Sequence, residues 1–522
     1  MNGFGKKDKL NNRDKIRDAK QSIQKIVDKA IRLHLKGNIS EAKKYYEYCV
    51  NIGVKDYRVF SNYGSILKDI GQLNKAEILT RKSIEINPEF VNAYYNLGSI
   101  LIDSGRFEEA EIFTQKAIRL NPNDENFYHK LGIIQTELGT SKDAEISLRN
   151  AIKIKPNDFL LHQSLAIILL ELDKQKDAEL ALYKSIKINP NSGKNYYLLS
   201  TFNFLNEKME EKLFSKGILN NQNEEDLIDI YFARANQLDK KSYYSKASEY
   251  FIKANNLNLK LHGSDYLDFQ SKMKSFYIKP QKDKNISSKH VSNPVPIFIV
   301  GMPRAGKTIT ESILACNDRT IKCGEDNALE SAVKIYLEKK NEKESPSLFK
   351  LYIDNLRNDY KLDSYICSTT PLNLIYTGLI ISEMKNAKVI FCHRNPLDNI
   401  IKIYQKHLGC KHTYSSSIRE SANMWLETYS LMERYKENNN SQIYFLNYED
   451  LIKEQEKEVK SLIKWLGWEY NDRYLKPRID ASTLSSSDNL NNNEIRIWTN
   501  YRELLAPAIE TLENNQKDKT II

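Results

Sequence analysis

Four prolines, Pro88, Pro122, Pro156 and Pro190, stand 34 residues apart in this 522-residue chain. Three other series keep the same step: Gly37, Gly71, Gly105 and Gly139; Ala42, Ala76, Ala110, Ala144 and Ala178; and Gly64, Gly98 and Gly132, continuing as Ala166. A fixed period of this length means one supersecondary unit repeated and stacked, each copy too small to bury its apolar face alone. Small residues at Gly64 and Ala76 fall on opposite arms of a helix hairpin, where a larger side chain would hold the two backbones apart. The Gly71 series falls in the turn between the arms. Asn-Pro at 87–88, 121–122 and 189–190 ends each second helix, because proline has no N–H to continue the ladder. A divergent hairpin over 233–255 is expected to close the array.

This pattern resembles tetratricopeptide repeats over about residues 22–226, and we expect an α-solenoid domain over 22–260. The resemblance implies a concave groove that takes a peptide or a protein partner. Tyr57, Tyr94, Tyr95, Asn62 and Asn96 are residues that could line it. Composition agrees with long helices: 19 Gly and 13 Pro are few for this length, about half of ordinary usage.

Residues 272–295 read as a linker, with lysines, two prolines and no apolar period. Then comes PIFIVGMPRAGKTITESILA: an apolar strand (297–300), a glycine-containing loop, and a helical pattern from Thr308. That order aims backbone N–H groups and a positive helix end at a phosphate. Gly301 to Thr308 also satisfies G-x-x-x-x-G-K-T, the pattern of a P-loop kinase or NTPase. Such an enzyme needs an apolar strand ending in Asp to hold Mg²⁺. Here the strand AKVIFC (387–392) ends in His393-Arg394, and QIYFL (442–446) is followed by Asn447-Tyr448, with the acid late.

An arginine where a metal carboxylate is expected resembles the sulfotransferases that use 3′-phosphoadenosine 5′-phosphosulfate (PAPS), in particular bacterial repeat-bearing chains akin to tyrosylprotein sulfotransferases. The matching stretches are IFIVGMPRAGKT, LACNDRTIKCGED, AKVIFCHRNPLDNIIKIY, YEDL (448–451) and WTNYRELLAPAIETL. The resemblance implies an α/β, P-loop-like, three-layer domain with a central parallel sheet over 296–512, after a basic leader (1–21) and before a short tail (513–522). It also implies roles. Arg304 and the backbone of Ala305, Gly306, Lys307, Thr308 and Ile309 would hold the 5′-phosphosulfate, and Arg394 the 3′-phosphate. Ser482 would lie near the nucleotide, and Glu325, with Asp326 beside it, would be the catalytic base. A base is needed because an ordinary phenol, with a pKa of about 10, is a weak nucleophile at neutral pH.

Three departures from the family stand out. Ala305 and Lys307 replace hydroxyl residues, Cys367-Ser368-Thr369 replaces a segment that carries a lysine, and Lys402 replaces a 3′-phosphate serine. Lys307 is expected to stand in for the lost lysine as a catalytic cation. No metal is expected. His393 at the strand end is expected to cap or pack rather than catalyse.

The remaining features bound the function. Lys+Arg 78 against Asp+Glu 68 leaves +10, a basic lean that permits an anionic ligand without demanding nucleic acid. The six cysteines contain no C-x-x-C pair, so neither a disulfide framework nor a zinc ribbon is signalled. The first 20 residues hold seven basic and three acidic side chains and no apolar core of a signal peptide. A soluble cytoplasmic protein without membrane or nucleic-acid partners is expected, acting on a polypeptide or other large hydroxyl acceptor. A P-loop kinase and a non-enzymatic repeat scaffold remain the competing readings.

Overall fold

The computed structural model describes residues 21–279, 294–340, 345–356, 364–409, 412–438, 441–477 and 495–515. Residues 1–20 of the expected leader, most of the linker, residues 516–522 of the expected tail, and Ser482 lie outside them. The described chain forms two compact units, Met1–Pro190 and Asn191–Ile522.

The first unit is a succession of helices: α1 (residues 21–35), α2 (Ile39–Asn51), α3 (Tyr57–Asp69), α4 (Leu73–Ile86), α5 (Val91–Asp103), α6 (Phe107–Leu120), α7 (Glu125–Glu137), α8 (Ser141–Ile154), α9 (Phe159–Glu171) and α10 (Gln175–Ile188). The periodic residues do what their chemistry dictates. Gly71, Gly105 and Gly139 take φ of 76°, 72° and 73°, and the N–H groups of Gly71 and Gln72 close the helix end on Lys68 O and Leu67 O, both at 2.9 Å. A Cβ on Gly98 would lie 2.7 Å from Thr114 Oγ1, and one on Gly132 2.9 Å from Leu148 Cγ, so the arms pack at glycine contact. Asn87, Asn121 and Asn189 cap α4, α6 and α10 in extended conformation ahead of their prolines.

Tyr94, a candidate groove residue, is instead core: it is 6% exposed and its hydroxyl donates to Pro88 O at 2.9 Å. Asn62 and Asn96 bond Tyr46 Oη and Ser61 Oγ on neighbouring helices.

The second unit begins with α11 (Gly193–Thr201), α12 (Glu207–Phe214), α13 (Glu224–Lys240), α14 (Tyr244–His262) and α15 (Tyr266–Ser275). Five strands follow: β1 (Val295–Val300), β2 (Thr320–Gly324), β3 (Tyr365–Ser368), β4 (Lys388–His393) and β5 (Ile443–Asn447). They form one parallel sheet in the order β2-β3-β1-β4-β5. Between and after them run α16 (Lys307–Leu314), α17 (Ala328–Lys339), α18 (Leu348–Asp354), α19 (Thr377–Glu383), α20 (Pro396–Tyr404), α21 (Ile418–Asn438), α22 (Tyr448–Lys453), α23 (Gln455–Trp465) and α24 (Ala506–Asn515).

The central strands are apolar on both faces, as a helix-covered parallel sheet requires. Phe298 and Val300 of β1, with Val389 and Phe391 of β4, join one core, while Ile297, Ile299, Ile390 and Cys392 join the other. The first of these cores also takes in Phe232 of α13 and Phe251 of α14. The hairpin expected to close the repeat array therefore shares its core with the sheet.

Candidate functional site

The chain leaves β1 through Gly301 to Gly306 and enters α16. Gly301 has φ 143° and Gly306 φ 97°. A Cβ on Gly301 would strike the Cys392 carbonyl of the neighbouring strand, and one on Gly306 would lie 2.8 Å from the Tyr448 ring. Only glycine fits either place. Arg304 takes φ 65°, a left-handed backbone that costs a non-glycine residue roughly 1–2 kcal/mol and that is held here by its surroundings. Thr310 donates its N–H and its Oγ1 to Gly306 O at 3.1 and 2.9 Å, and Asn399 of α20 donates to Pro303 O at 2.8 Å. The loop is thus tied to its own helix and to the helix that follows β4.

Lys307 is the first residue of α16. It is 7% exposed, and its ammonium finds no hydrogen-bond partner among the described residues. Burial lowers its pKa to about 8, partly opposed by the charges of Glu325 and Cys392. Ala305 and Ile309 are buried, at 2% and 3% exposure, and the Ala305 N–H donates to Met302 O at 3.3 Å. Thr308 is half-buried.

Arg394 follows β4, which pairs with β1. It is 3% exposed; its guanidinium lies over the Tyr448 ring at 4.5 Å and its Nε stands 3.8 Å from Glu449 Oε1. Glu449 also accepts the Asn395 N–H at 3.0 Å, and burial raises its pKa. Tyr448 therefore links the phosphate-type loop to Arg394. Lys402 sits half-buried on α20, about two turns beyond Arg394.

Glu325 is exposed, on the loop after β2. That loop is braced from below: Glu311 Oε1 accepts the Gly324 N–H at 3.1 Å, Gly324 O accepts the Thr369 N–H at 2.8 Å, and Thr370 donates to Asp326 O at 2.5 Å. Asp326 is occupied locally, accepting the Ala328 N–H at 2.8 Å as α17 begins. His393 packs: its ring lies 5.7 Å from Phe391 and 5.4 Å from Tyr429, and burial lowers its pKa to about 4.

The sequence alone assigns no role to Asp398, Glu311 or Tyr448. Asp398 is 1% exposed and accepts the N–H groups of Arg496 and Trp498 at 2.7 and 2.9 Å, tying the C-terminal WTNYRELL stretch to α20. Asp398 and Tyr448 stand inside the quoted HRNPLDN and YEDL stretches; Glu311 gives no local signal. A cleft of about 820 Å³ between α15 and α21 includes none of the expected site residues in its lining. Among the described residues, no group of His, Cys, Asp and Glu is placed to hold a metal ion, and no helix is long and apolar enough to cross a membrane.

Residues 342–472, which contain HRNPLDN, YEDL and the strands that carry them, match the sulfotransferase family. Residues 30–153 match the middle tetratricopeptide-like domain of cilia and flagella-associated protein 70. The chain joins a tetratricopeptide-like region to a sulfotransferase-family domain. An uncharacterized protein of Aquifex aeolicus (strain VF5) is 28% identical over 311 residues, 54% of this chain and 40% of that protein. The chain thus spans two fifths of that relative's length. Among solved structures, MamA is 23% identical, covering 32% of this chain and 96% of its own with a TM-score of 0.29. YrrB, described as a tetratricopeptide protein with an unusual peptide-binding site, is 18% identical, covering 38% and 97% with a TM-score of 0.29. In the sulfotransferase-family domain, Arg394 and Glu449 fall inside the matched stretch, and the loop from Gly301 to Thr308 precedes it.

Proposed function

We propose that this protein is a sulfotransferase that takes a sulfuryl group from PAPS to an acceptor hydroxyl, with a protein tyrosine as the acceptor that the family resemblance favours. The observation that carries the reading is the pairing of a glycine-built phosphate loop with a cation at the end of the adjacent strand: Arg394 stands where a nucleotide hydrolase would place a metal-binding carboxylate. The repeat domain (22–260) would engage the acceptor or a partner protein, and the transfer domain would span 296–512.

The residues present fit the donor. The ammonium of Lys307 is buried without a hydrogen-bond partner among the described residues, an arrangement that is costly until an anion arrives. The glycines at 301 and 306 keep the loop clear of side chains, so its N–H groups and the start of α16 can face oxygen atoms. When bound, PAPS supplies an activated sulfuryl group on a phosphate leaving group. Arg304 and Lys307 would hold the anionic end and stabilise charge that gathers there. Lys307 would thereby take the place of the lysine missing at Cys367-Ser368-Thr369. Arg394, with Lys402 on the helix that follows it, would hold the 3′-phosphate, the planar guanidinium suiting a bidentate contact. Ser482 is assigned its role near the nucleotide on the resemblance alone. Glu325 would take the acceptor proton at its carboxylate; its exposure leaves it open to a large acceptor.

Calorimetry tests this directly. Adenosine 3′,5′-bisphosphate (PAP) should bind without Mg²⁺ and much more tightly than ATP, and Arg394→Ala should erase that preference. Tighter binding of ATP with Mg²⁺ would point to a kinase instead, and the absence of any nucleotide-dependent rise in melting temperature to a scaffold.

A further inference from the structure

The transfer reading leaves one buried Asp–His pair without a task. Asp229 of α13 and His407, three residues past the end of α20, hold Oδ1 and Nδ1 2.9 Å apart, with side chains 8% and 7% exposed. A carboxylate can only accept, so the ring hydrogen is assigned to Nδ1. Phe232 of α13 stacks on the imidazole, with centroids 5.4 Å apart and planes at 11°, and Tyr197 of α11 meets it edge-on at 6.0 Å. Nε2 is buried without a hydrogen-bond partner among the described residues. Stability alone does not account for such a pair, since apolar side chains of similar volume would fill the space and leave no unmet nitrogen.

Two paths run from the pair to Arg304. The first passes through Tyr197, whose hydroxyl oxygen accepts the His407 N–H at 3.3 Å. Burial lifts the pKa of that hydroxyl to about 12, and the charge of Arg304 works against the rise, so the guanidinium lies within electrostatic reach of it. The second runs along α20. Its Asn399 donates to Pro303 O at 2.8 Å, one residue before Arg304 and the left-handed backbone of φ 65°, while His407 ties the chain just beyond the far end of the same helix to α13. A non-glycine residue keeps such a backbone only where its surroundings hold it there.

We propose that Asp229 and His407 are positioning residues for the phosphate-type loop: by fixing Tyr197 and the end of α20 they hold Arg304 where the anionic end of the donor binds. The proposal rests on the transfer reading, which makes Arg304 a ligand of the donor. It makes α11 and α13, which precede the stretch matched to the sulfotransferase family, part of what shapes the donor site. Neither Asp229 nor His407 touches the donor; both act through Arg304.

The test is calorimetry of PAP binding to the full chain, with melting curves as a control for folding. Tyr197→Phe and Asp229→Ala should each weaken PAP binding about fivefold or more, and in an Arg304→Ala background Tyr197→Phe should weaken it by less than about twofold further, because residues on one path do not add. Asp229→Asn, whose side-chain oxygen still accepts the Nδ1 hydrogen, should stay within about twofold of wild type. Tyr197→Phe keeps the ring and its packing, so it decides the matter even if Asp229→Ala fails to fold. A wild type that binds no PAP would remove the transfer reading and this proposal with it. PAP binding that Tyr197→Phe leaves unchanged, that it weakens equally with and without Arg304, or that Asp229→Asn weakens as much as Asp229→Ala would overturn this proposal alone.

Discussion

At the scale of single residues, Lys307 concentrates the conflict between stability and ligand binding. Its pKa falls from 10.5 to about 8 through burial. Between those values the unfolded chain holds a proton that the folded, ligand-free protein does not, so stability rises with pH across that window, and below about pH 8 the full penalty of the buried charge is carried. A bound phosphate or sulfate group reverses the balance by favouring the ammonium. Lys307→Met should therefore raise the melting temperature of the ligand-free protein at pH 7, by the equivalent of roughly 1–3 kcal/mol, while lowering PAP affinity at least tenfold. PAP affinity of the wild type should decline as pH rises above about 8, and that decline should vanish in the mutant. Paired melting and calorimetric series at pH 6.5 to 9.5 measure both; a Lys307→Met protein that melts lower and binds equally well would remove the role assigned to this side chain.

At the scale of elements, the helix-ending glycines explain why the repeat array was readable and where the reading stops. Gly71, Gly105 and Gly139 mark three turns, and the next position in phase is Asp173, which adopts the same left-handed backbone with φ 57° and the same closing bond, Lys174 N–H to Leu169 O at 2.8 Å. The geometry persists although the residue that announces it is gone. Asp173→Gly should relieve this strain and stabilise the first unit by about 1 kcal/mol, read as a higher midpoint in urea; a lower midpoint would show that the aspartate earns its place through contacts. The same division of labour holds around the phosphate-type loop. Gly301, Gly306 and Arg394 announce themselves because chain order alone places them after apolar strands. The burial of Arg394 against Tyr448 and Glu449, and the bracing of the Glu325 loop by Glu311, depend on side chains brought together from distant segments. No local pattern records such meetings. Tyr94 illustrates the reverse error, since an aromatic residue at a groove-like position is drawn into the core once its neighbours are in place.

At the scale of the whole second unit, the consequential feature is the fusion of repeat-type helices with the sheet. Phe232 and Phe251, each 1% exposed, lie in one apolar cluster with Phe298 of β1 and Ile400 and Ile401 of α20. Polar contacts reinforce it: Asn255 donates to Tyr404 O at 2.9 Å, Asn258 to Ser416 Oγ at 2.9 Å, the His407 Nδ1 and Asp229 Oδ1 atoms stand 2.9 Å apart, and the Tyr501 hydroxyl donates to Asp239. Deleting one buried Phe side chain typically costs about 3–5 kcal/mol, and a whole domain is stable by only about 5–15 kcal/mol. Removing α13 and α14 together should therefore cost more than the transfer domain has in reserve. A fragment beginning at residue 294 is expected to be insoluble or to lack near-ultraviolet circular dichroism, although it holds every expected site residue. A fragment of residues 191–522 should unfold in one cooperative transition within a few degrees of the corresponding step in the full chain, and should retain PAP binding. Native near-ultraviolet dichroism together with PAP binding in the shorter fragment would show that the helical hairpin is an accessory to the sheet rather than part of its core.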